Sequence, residues 1–343
     1  MKLLVTGTEG YIGILMGPVL LERGHQVVGL DTGFYRDSWL YNNGIVRFPE
    51  TLNKDIRNIT TKDLEGFDAV VHLAELSNDP LGQLNPDITY KINHHGSVEL
   101  AKKCKEVGIS RFVYASSCSV YGIGGGDAYK TEESEPNPQT AYAKCKVLVE
   151  RDVSAMADDH FSPTFMRNAT AYGPSPRQRF DIVLNNLAGL AWTTGEIKMT
   201  SDGTPWRPLV HVLDICQAVA CALEAPREVV HNQIFNVGNT RENYRVREIA
   251  EIIADTFPGC KLSFGNSDGD NRSYRVSFDK INSQLPGFKC QRDAVLGAKQ
   301  FYELFERIDM SGETFKSRGY TRLKQLEHLI KTRQIDENFF WRN

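Results

Sequence analysis

MKLLVTGTEGYIG, residues Met1 to Gly13, is the stretch whose reading decides the fold. Lys2–Thr6 is a short aliphatic and β-branched run with the character of a strand. Gly7, Gly10 and Gly13 follow at the spacing G-x-x-G-x-x-G. The apolar stretch Tyr11–Leu21 comes next, with Ile12, Leu15, Val19 and Leu20 near helical spacing. Strand, glycine turn and helix are the parts of a dinucleotide site. Gly7 allows the tight turn, Gly10 lets the backbone approach a pyrophosphate at the helix N-terminus, and Gly13 lets the helix pack close to the sheet. Pro18 stands against a regular helix, since it removes one hydrogen bond and favours a kink.

Working outward, Gln26–Leu30 reads as a second buried strand. Asp31 stands at its end, where a carboxylate meets the adenosine ribose hydroxyls. The same charge repels a 2′-phosphate, so the expected cofactor is NAD rather than NADP. Arg36, close by, points the other way. Glycines that only serve turns, with Asp31 as a strand-end cap, are the plain alternative.

The bulk numbers bound the class. The chain has 343 residues, enough for a large core and about two domains. A hydrophobic content of 41% and a charged content of 24% are those of a soluble globular protein. The net charge of −3 gives no electrostatic reason for a nucleic-acid or anionic-membrane partner. No stretch approaches the roughly 20 apolar residues of a membrane span. The first strand begins at once, so no signal peptide is expected. Seven cysteines, an odd number without a C-x-x-C, suit reduced thiols, and a cytoplasmic location is expected. His94-His95 is an isolated pair, and no metal site is expected.

Along the chain, Asp68–Leu73 is a third buried strand. The loop before it holds Asp55, placed either to bond the adenine amino group, with Ile56 over the ring, or to cap a turn. Ala74–Asp79 is polar and loop-like. Pro86–Val107 reads as one long helix containing Asn93, which is either a cofactor contact or a buried amide tying helix to sheet. Arg111–Ala115 is a fourth strand, and it delivers Ser116–Gly122 to the carboxyl edge of the sheet, where ligands of doubly wound folds bind. Ile123–Pro138 is long enough to be the rim of an active site. Thr140 and Ala141 open a helix, and Thr164–Arg167 is a fifth strand. Beyond Arg167 the alternation loosens. Helices are expected at Phe180–Trp192, Val212–Ala225 and Val246–Phe257, a strand at Gln233–Val237, short extended pieces at Ile197–Met199 and Lys261–Phe264, and charged-faced helices from Arg292. The expected architecture is α/β: a Rossmann-type doubly wound parallel sheet over residues 1–167, rejoined around 211–238. Residues 168–210 and 239–343 form a smaller C-terminal α/β substrate lobe.

The chemistry centres on Tyr142 and Lys146. Their four-residue spacing puts both on one helix face. Tyrosine titrates near 10 and needs help to act as a base. A neighbouring ammonium favours the phenolate, and Lys146 supplies it. Tyr142 then takes a proton from an alcohol while hydride leaves the carbon for a nicotinamide, and Ser117 orients the same hydroxyl. An ordinary helix surface is the bland account of Y-x-x-x-K, and the order of motifs here argues against it.

Taken together, these motifs resemble the extended short-chain dehydrogenase/reductases, specifically the NAD-dependent sugar-nucleotide epimerase/dehydratase family. The matching segments are TGTEGYIG at Thr6–Gly13, Asp31, DIR at Asp55–Arg57, HLA at His72–Ala74, SSCSVYG at Ser116–Gly122, YAKCK at Tyr142–Lys146, YGP at Tyr172–Pro174 and RPLVHVLD at Arg207–Asp214. The resemblance implies bound NAD, held by residues that include Tyr11, Ile12, Leu73 and Ala74 besides those above. It implies a C-terminal lobe gripping a nucleoside diphosphate sugar, and a homodimer through the helices near Pro86–Val107 and Thr140–Asp158. For the substrate phosphates it points to Asn185 and to two arginines, Arg207 and Arg272; guanidinium forks suit phosphate oxygens. Arg177 and Arg179 read equally well as surface residues.

One departure narrows the reaction. Sugar-nucleotide 4,6-dehydratases of the family carry acids just before V-Y-G, and decarboxylases a glutamate. Here those positions hold Ser117, Cys118 and Ser119. Dehydration and decarboxylation lose their usual groups, and oxidation and reduction at the sugar, most often C4, remain. Cys118 is a second acid or a small packed hydrophobe. The expected activity is a sugar-nucleotide 4-epimerase. A one-way 4-dehydrogenase or 4-ketoreductase uses the same residues, and a non-catalytic NAD(H)-binding sensor is the reading from another class.

Overall fold

The computed structural model describes residues 1–42, 44, 47–77, 85–123, 128–266 and 272–342. Residues 78–79 of the expected loop Ala74–Asp79 and residues 124–127 of the expected loop Ile123–Pro138 lie outside it. Six of the seven strands of the main sheet come first along the chain: β1 (Lys2–Thr6), β2 (Gln26–Asp31), β3 (Glu50–Asn53), β4 (Ala69–His72), β5 (Arg111–Ser117) and, after a two-residue β6 (Tyr129–Lys130) outside that sheet, β7 (Ser162–Asn168). The lobe adds β8 (Thr170–Tyr172), β9 (Glu196–Lys198) and β10 (Trp206–His211). The chain then returns with β11 (Gln233–Val237), and β12 (Asn243–Arg245), β13 (Lys261–Ser263) and β14 (Arg275–Val276) follow. The main sheet runs β11-β7-β5-β4-β1-β2-β3, and every neighbouring pair is parallel. The chain leaves β1 toward β2 and β3, then crosses back to β4 on the other side. The crevice between the carboxyl ends of β1 and β4 is therefore the topological switch point at which such sheets bind ligands.

The strands alternate their side chains between two cores. Leu3, Val5, Val71 and Val113 pack on the face covered by the helices Gly13–Glu22 and Val212–Glu224. Leu4, Val70, Phe112 and Phe165 pack on the face covered by Ser97–Glu106 and Ala141–Ser154. A third core, around Leu184, Leu209, Ile253 and Phe305, belongs to the lobe. There β8, β10 and β12 form one small sheet, β9 pairs with β13, and β6 reaches over to pair with β14.

Three features differ from the sequence reading. Glu50–Asn53 is the edge strand β3; three of its four residues are polar and its one apolar residue, Leu52, is exposed, so no apolar alternation marks it. Pro86–Val107 is not one regular α-helix. It runs as Pro86–Thr89, a π-helical segment Tyr90–Gly96, and Ser97–Glu106. The end of the chain, expected in the lobe with residues 239–343, folds back on the sheet: Leu326, Leu329, Ile335 and Phe339 are buried in the same core as Leu4 and Val70. Pro18 is accommodated inside the helix Gly13–Glu22. Among the described residues no helix is long and apolar enough to cross a membrane.

Candidate active site

The switch-point crevice opens into a cavity of about 700 Å³. Its floor is the glycine turn. Gly7 has φ +77°, and a Cβ there would stand 2.9 Å from the Ala74 amide nitrogen. A Cβ on Gly13 would fall 2.0 Å from the Gly7 carbonyl oxygen. Both glycines are therefore demanded by backbone packed on backbone. No side chain caps the helix Gly13–Glu22, although the Ile14 and Leu15 amides already donate to the Gly10 and Ile12 carbonyls, so an anion here meets the amides of the turn that precedes them. Gly10, Tyr11 and Ile12 line the cavity beside them. This uncapped N-terminus in a glycine cradle fits the pyrophosphate of a dinucleotide.

Asp31 ends β2 on the cavity wall, held there by the Gly33 amide on Oδ1 (2.8 Å) and the Glu9 amide on Oδ2 (3.0 Å). Burial raises its carboxyl pKa, and these two amides oppose the rise. The placement suits ribose hydroxyls, which are neutral donors. Arg36 leans on Glu9 instead, at 3.4 Å. Asp55 and Ile56 also line the cavity, yet the Asp55 carboxylate already caps a turn: Oδ1 accepts from the Arg57 amide at 2.8 Å and Oδ2 from its guanidinium at 2.7 Å. Leu73 and Ala74 follow β4, and their amides both donate to Thr6 Oγ1 at 3.2 Å.

At the other end, β5 delivers Ser117, whose Oγ accepts the Ser119 amide at 3.1 Å. The helix Ala141–Ser154 opens at Thr140, whose Oγ1 accepts the Ala143 amide, and this start aims Tyr142 and Lys146 into the cavity. The Lys146 ammonium lies 5.3 Å from the centroid of the Tyr142 ring and 4.6 Å from that of Tyr114. It donates to the Ala115 carbonyl and pairs with Glu75 Oε2 at 2.6 Å. The second Glu75 oxygen accepts the Tyr114 hydroxyl at 2.5 Å. Ser117, Ser119, Tyr142 and Lys146 thus share one cavity with the glycine turn. Arg207 and Arg272, also on its wall, are joined by a hydrogen bond from the Arg207 guanidinium to the Arg272 carbonyl.

Three expected contacts fall elsewhere. Asn93 is fully buried and closes both its amide groups on Leu76, Oδ1 accepting the amide at 2.8 Å and Nδ2 donating to the carbonyl at 3.0 Å. It holds the loop that carries Glu75 and is not on the cavity wall. Cys118 turns into the core, where its thiol donates to the Arg167 carbonyl and burial pushes its pKa well up; it is a packing residue. Asn185 spends its amide on the Gly173 amide, the Tyr11 hydroxyl and the Arg179 carbonyl, and its neighbour Asn186 lines the cavity. Arg177 and Arg179 are buried rather than on the surface. Arg179 lines the cavity and pairs with Asp181 at 2.8 Å.

Glu75 and Arg322 escaped the sequence reading. Glu75 follows the HLA motif in a polar stretch that reads as loop. Arg322 lies 291 residues after Asp31 and has no local motif. Arg179 carried a usable signal in Asp181 two residues on. Among the described residues no three His, Cys, Asp or Glu side chains gather as a metal site.

The model of the "NAD dependent epimerase/dehydratase family" matches residues 3–238. A UDP-glucose 4-epimerase of Corynebacterium glutamicum is 28% identical over 271 residues, covering 74% of this chain and 80% of that one. A UDP-glucuronate 4-epimerase of Thermodesulfobacterium geofontis is 26% identical over 268 residues, covering 73% and 79%. Among solved structures, MoeE5 in complex with UDP-glucuronic acid and NAD superposes with a TM-score of 0.77 at 25% identity, covering 90% of this chain and 99% of that one. DesIV, a dTDP-glucose 4,6-dehydratase from Streptomyces venezuelae, shares the fold at a TM-score of 0.78 and 23% identity, covering 94% and 100%.

Proposed function

The chain belongs to the NAD-dependent epimerase/dehydratase family and uses NAD, and from that premise we propose that it is a 4-epimerase of a nucleoside diphosphate hexose. What carries the reading is the single cavity in which Tyr142, Lys146 and Ser117 meet both the glycine turn and the arginines Arg207 and Arg272. When bound, NAD supplies a reversible hydride acceptor. Gly7, Gly10, Gly13 and Asp31 hold it. Tyr142 takes the proton of the sugar hydroxyl and later returns it, Ser117 holds that hydroxyl, and Lys146 holds positive charge beside the phenol. Arg207 and Arg272 clamp the sugar nucleotide's phosphates. An acid for removing water is missing from the positions before Val120: Ser117 and Ser119 line the cavity, and the Cys118 thiol is turned away from it. Glu75 is the nearby carboxylate, and it is committed to Lys146 and Tyr114. The helices Ser97–Glu106 and Ala141–Ser154 are proposed to pair two copies in a homodimer.

The test is incubation with UDP-glucose and UDP-galactose, the uridine nucleotides being the first choice because relatives act on them by name. Interconversion without net NADH supports the 4-epimerase. Net NADH formation would make it a 4-dehydrogenase, and a product lighter by one water would make it a dehydratase.

A further inference from the structure

We propose that Arg322 binds the diphosphate of the cofactor, carried into the site by the last helix of the chain. The helix Arg322–Lys331 and the tail after it lie beyond the residues matched by the family model. They are fastened to the adenosine side of the crevice. Gln325 Nε2 donates to the Phe34 carbonyl at 2.9 Å, and Trp341 Nε1 to the Thr32 carbonyl at 2.6 Å. The Arg57 guanidinium donates to the Asn338 carbonyl at 2.8 Å and stands 3.8 Å from the centroid of the Phe340 ring.

This fastening sets Arg322 on the cavity wall, 3% exposed, with its guanidinium 3.9 Å from the centroid of the Tyr35 ring. Its backbone amide donates to Asp181 Oδ2. Its Nη1 is buried and has no hydrogen-bond partner among the described residues. A buried guanidinium donor without a partner is destabilising unless something enters to accept from it. Burial lowers its pKa to about 10, so the group remains a cation at neutral pH.

The charges around it say what enters. Lys54, Lys146 and Arg179 on the same wall are each matched by a carboxylate, from Asp63, Glu75 and Asp181. The glycine turn offers a diphosphate only backbone amides, and Asp31 adds negative charge beside them. The doubly charged diphosphate is left to a cation from elsewhere in the fold, and a guanidinium fork suits it. Two diphosphates reach this cavity, the cofactor's and the sugar nucleotide's. The place of Arg322 beside Asp31 and Tyr35, with Arg207 and Arg272 serving the sugar nucleotide, assigns it to the cofactor.

The experiment follows the fluorescence of NADH bound to the full-length protein, and its displacement by ADP, adenosine and UDP, in wild type, Arg322→Met and Arg322→Lys. The expected result is NADH and ADP binding weakened about tenfold in Arg322→Met, with adenosine and UDP unchanged and Arg322→Lys in between. Unchanged ADP binding overturns the proposal. So does a parallel loss for ADP and adenosine, which would make Arg322 a wall of the pocket, or a loss for UDP alone, which would give it to the substrate. A wild type that binds no NADH overturns the proposal together with the cofactor assignment; a variant that matches a binding wild type overturns the proposal alone. Should Arg322→Met not fold, Arg322→Gln is read by the same criteria.

Discussion

The ammonium of Lys146 lies 2.6 Å from the carboxylate of Glu75, with 5% and 2% of the two side chains exposed. Burial works against the charged lysine, and the Glu75 carboxylate leads the groups that outweigh it, holding the Lys146 pKa above its ordinary value. The lysine that serves Tyr142 is thus itself held by a carboxylate. Glu75→Gln removes that support. The basic limb of the pH–rate profile then moves to lower pH, by about one to three units. Unfolding measurements are expected to show a loss of about 3–5 kcal/mol, the usual cost of stranding one member of a buried pair. The double variant Glu75→Gln/Lys146→Met regains stability and stays inactive. A Glu75→Gln profile superimposable on wild type would sink this account.

Tyr142→Phe removes the proton acceptor and leaves the ring. Turnover falls about 10²–10⁴-fold, the range of a lost general base. Fluorescence titration with NADH is expected to show cofactor binding within a few fold of wild type. Retained turnover would point to another base.

Asp31 sets the choice of dinucleotide. Its two oxygens are oriented by the Glu9 and Gly33 amides, and a 2′-phosphate would meet the carboxylate directly. NADH is expected to bind at least ~10²-fold more tightly than NADPH, since facing like charges cost several kcal/mol. Asp31→Asn narrows the gap. Equal affinity of wild type for the two would overturn this reading, and Arg36 would be the residue to examine next.

His72 predicts an acid limb in folding stability. Thr6 Oγ1 accepts two amides, so its own proton goes to His72 Nδ1, at 2.7 Å. Nε2 then carries the ring proton and donates to Ser97 Oγ at 2.7 Å, which donates on to the Asn93 carbonyl at 2.6 Å. The network is complete with a neutral ring, and burial, aided by the Lys146 charge, lowers the His72 pKa to about 3. Between about pH 3 and the ordinary value near 6.5 the unfolded chain binds the proton and the folded one does not. Stability therefore rises with pH across that window, by up to ~1.4 kcal/mol per unit for this one group. Denaturant titrations from pH 4 to 7 should show a shallower slope in His72→Gln. An unchanged slope would assign the acid sensitivity to other groups.

What the sequence alone determined is what local pattern encodes. Gly7 and Gly13 are legible because no other residue fits backbone against backbone, and Asp31 because a strand must end beside the turn. Tyr142 and Lys146 are legible because four residues make one helical turn. Even the orientation of the sheet follows from five apolar runs alternating with helices. What only the tertiary structure decided depends on residues far apart in the chain. Glu75 meets Lys146 across 71 positions. Asn93 reaches Leu76 from a π-helical segment that no periodicity announces, and Cys118 and Asn185 point away from the cavity that their neighbours line. The last helix brings Arg322 back to the carboxyl end of β2, where Asp31 stands. Side-chain direction and long-range return are set by packing, and packing is a property of the folded chain as a whole.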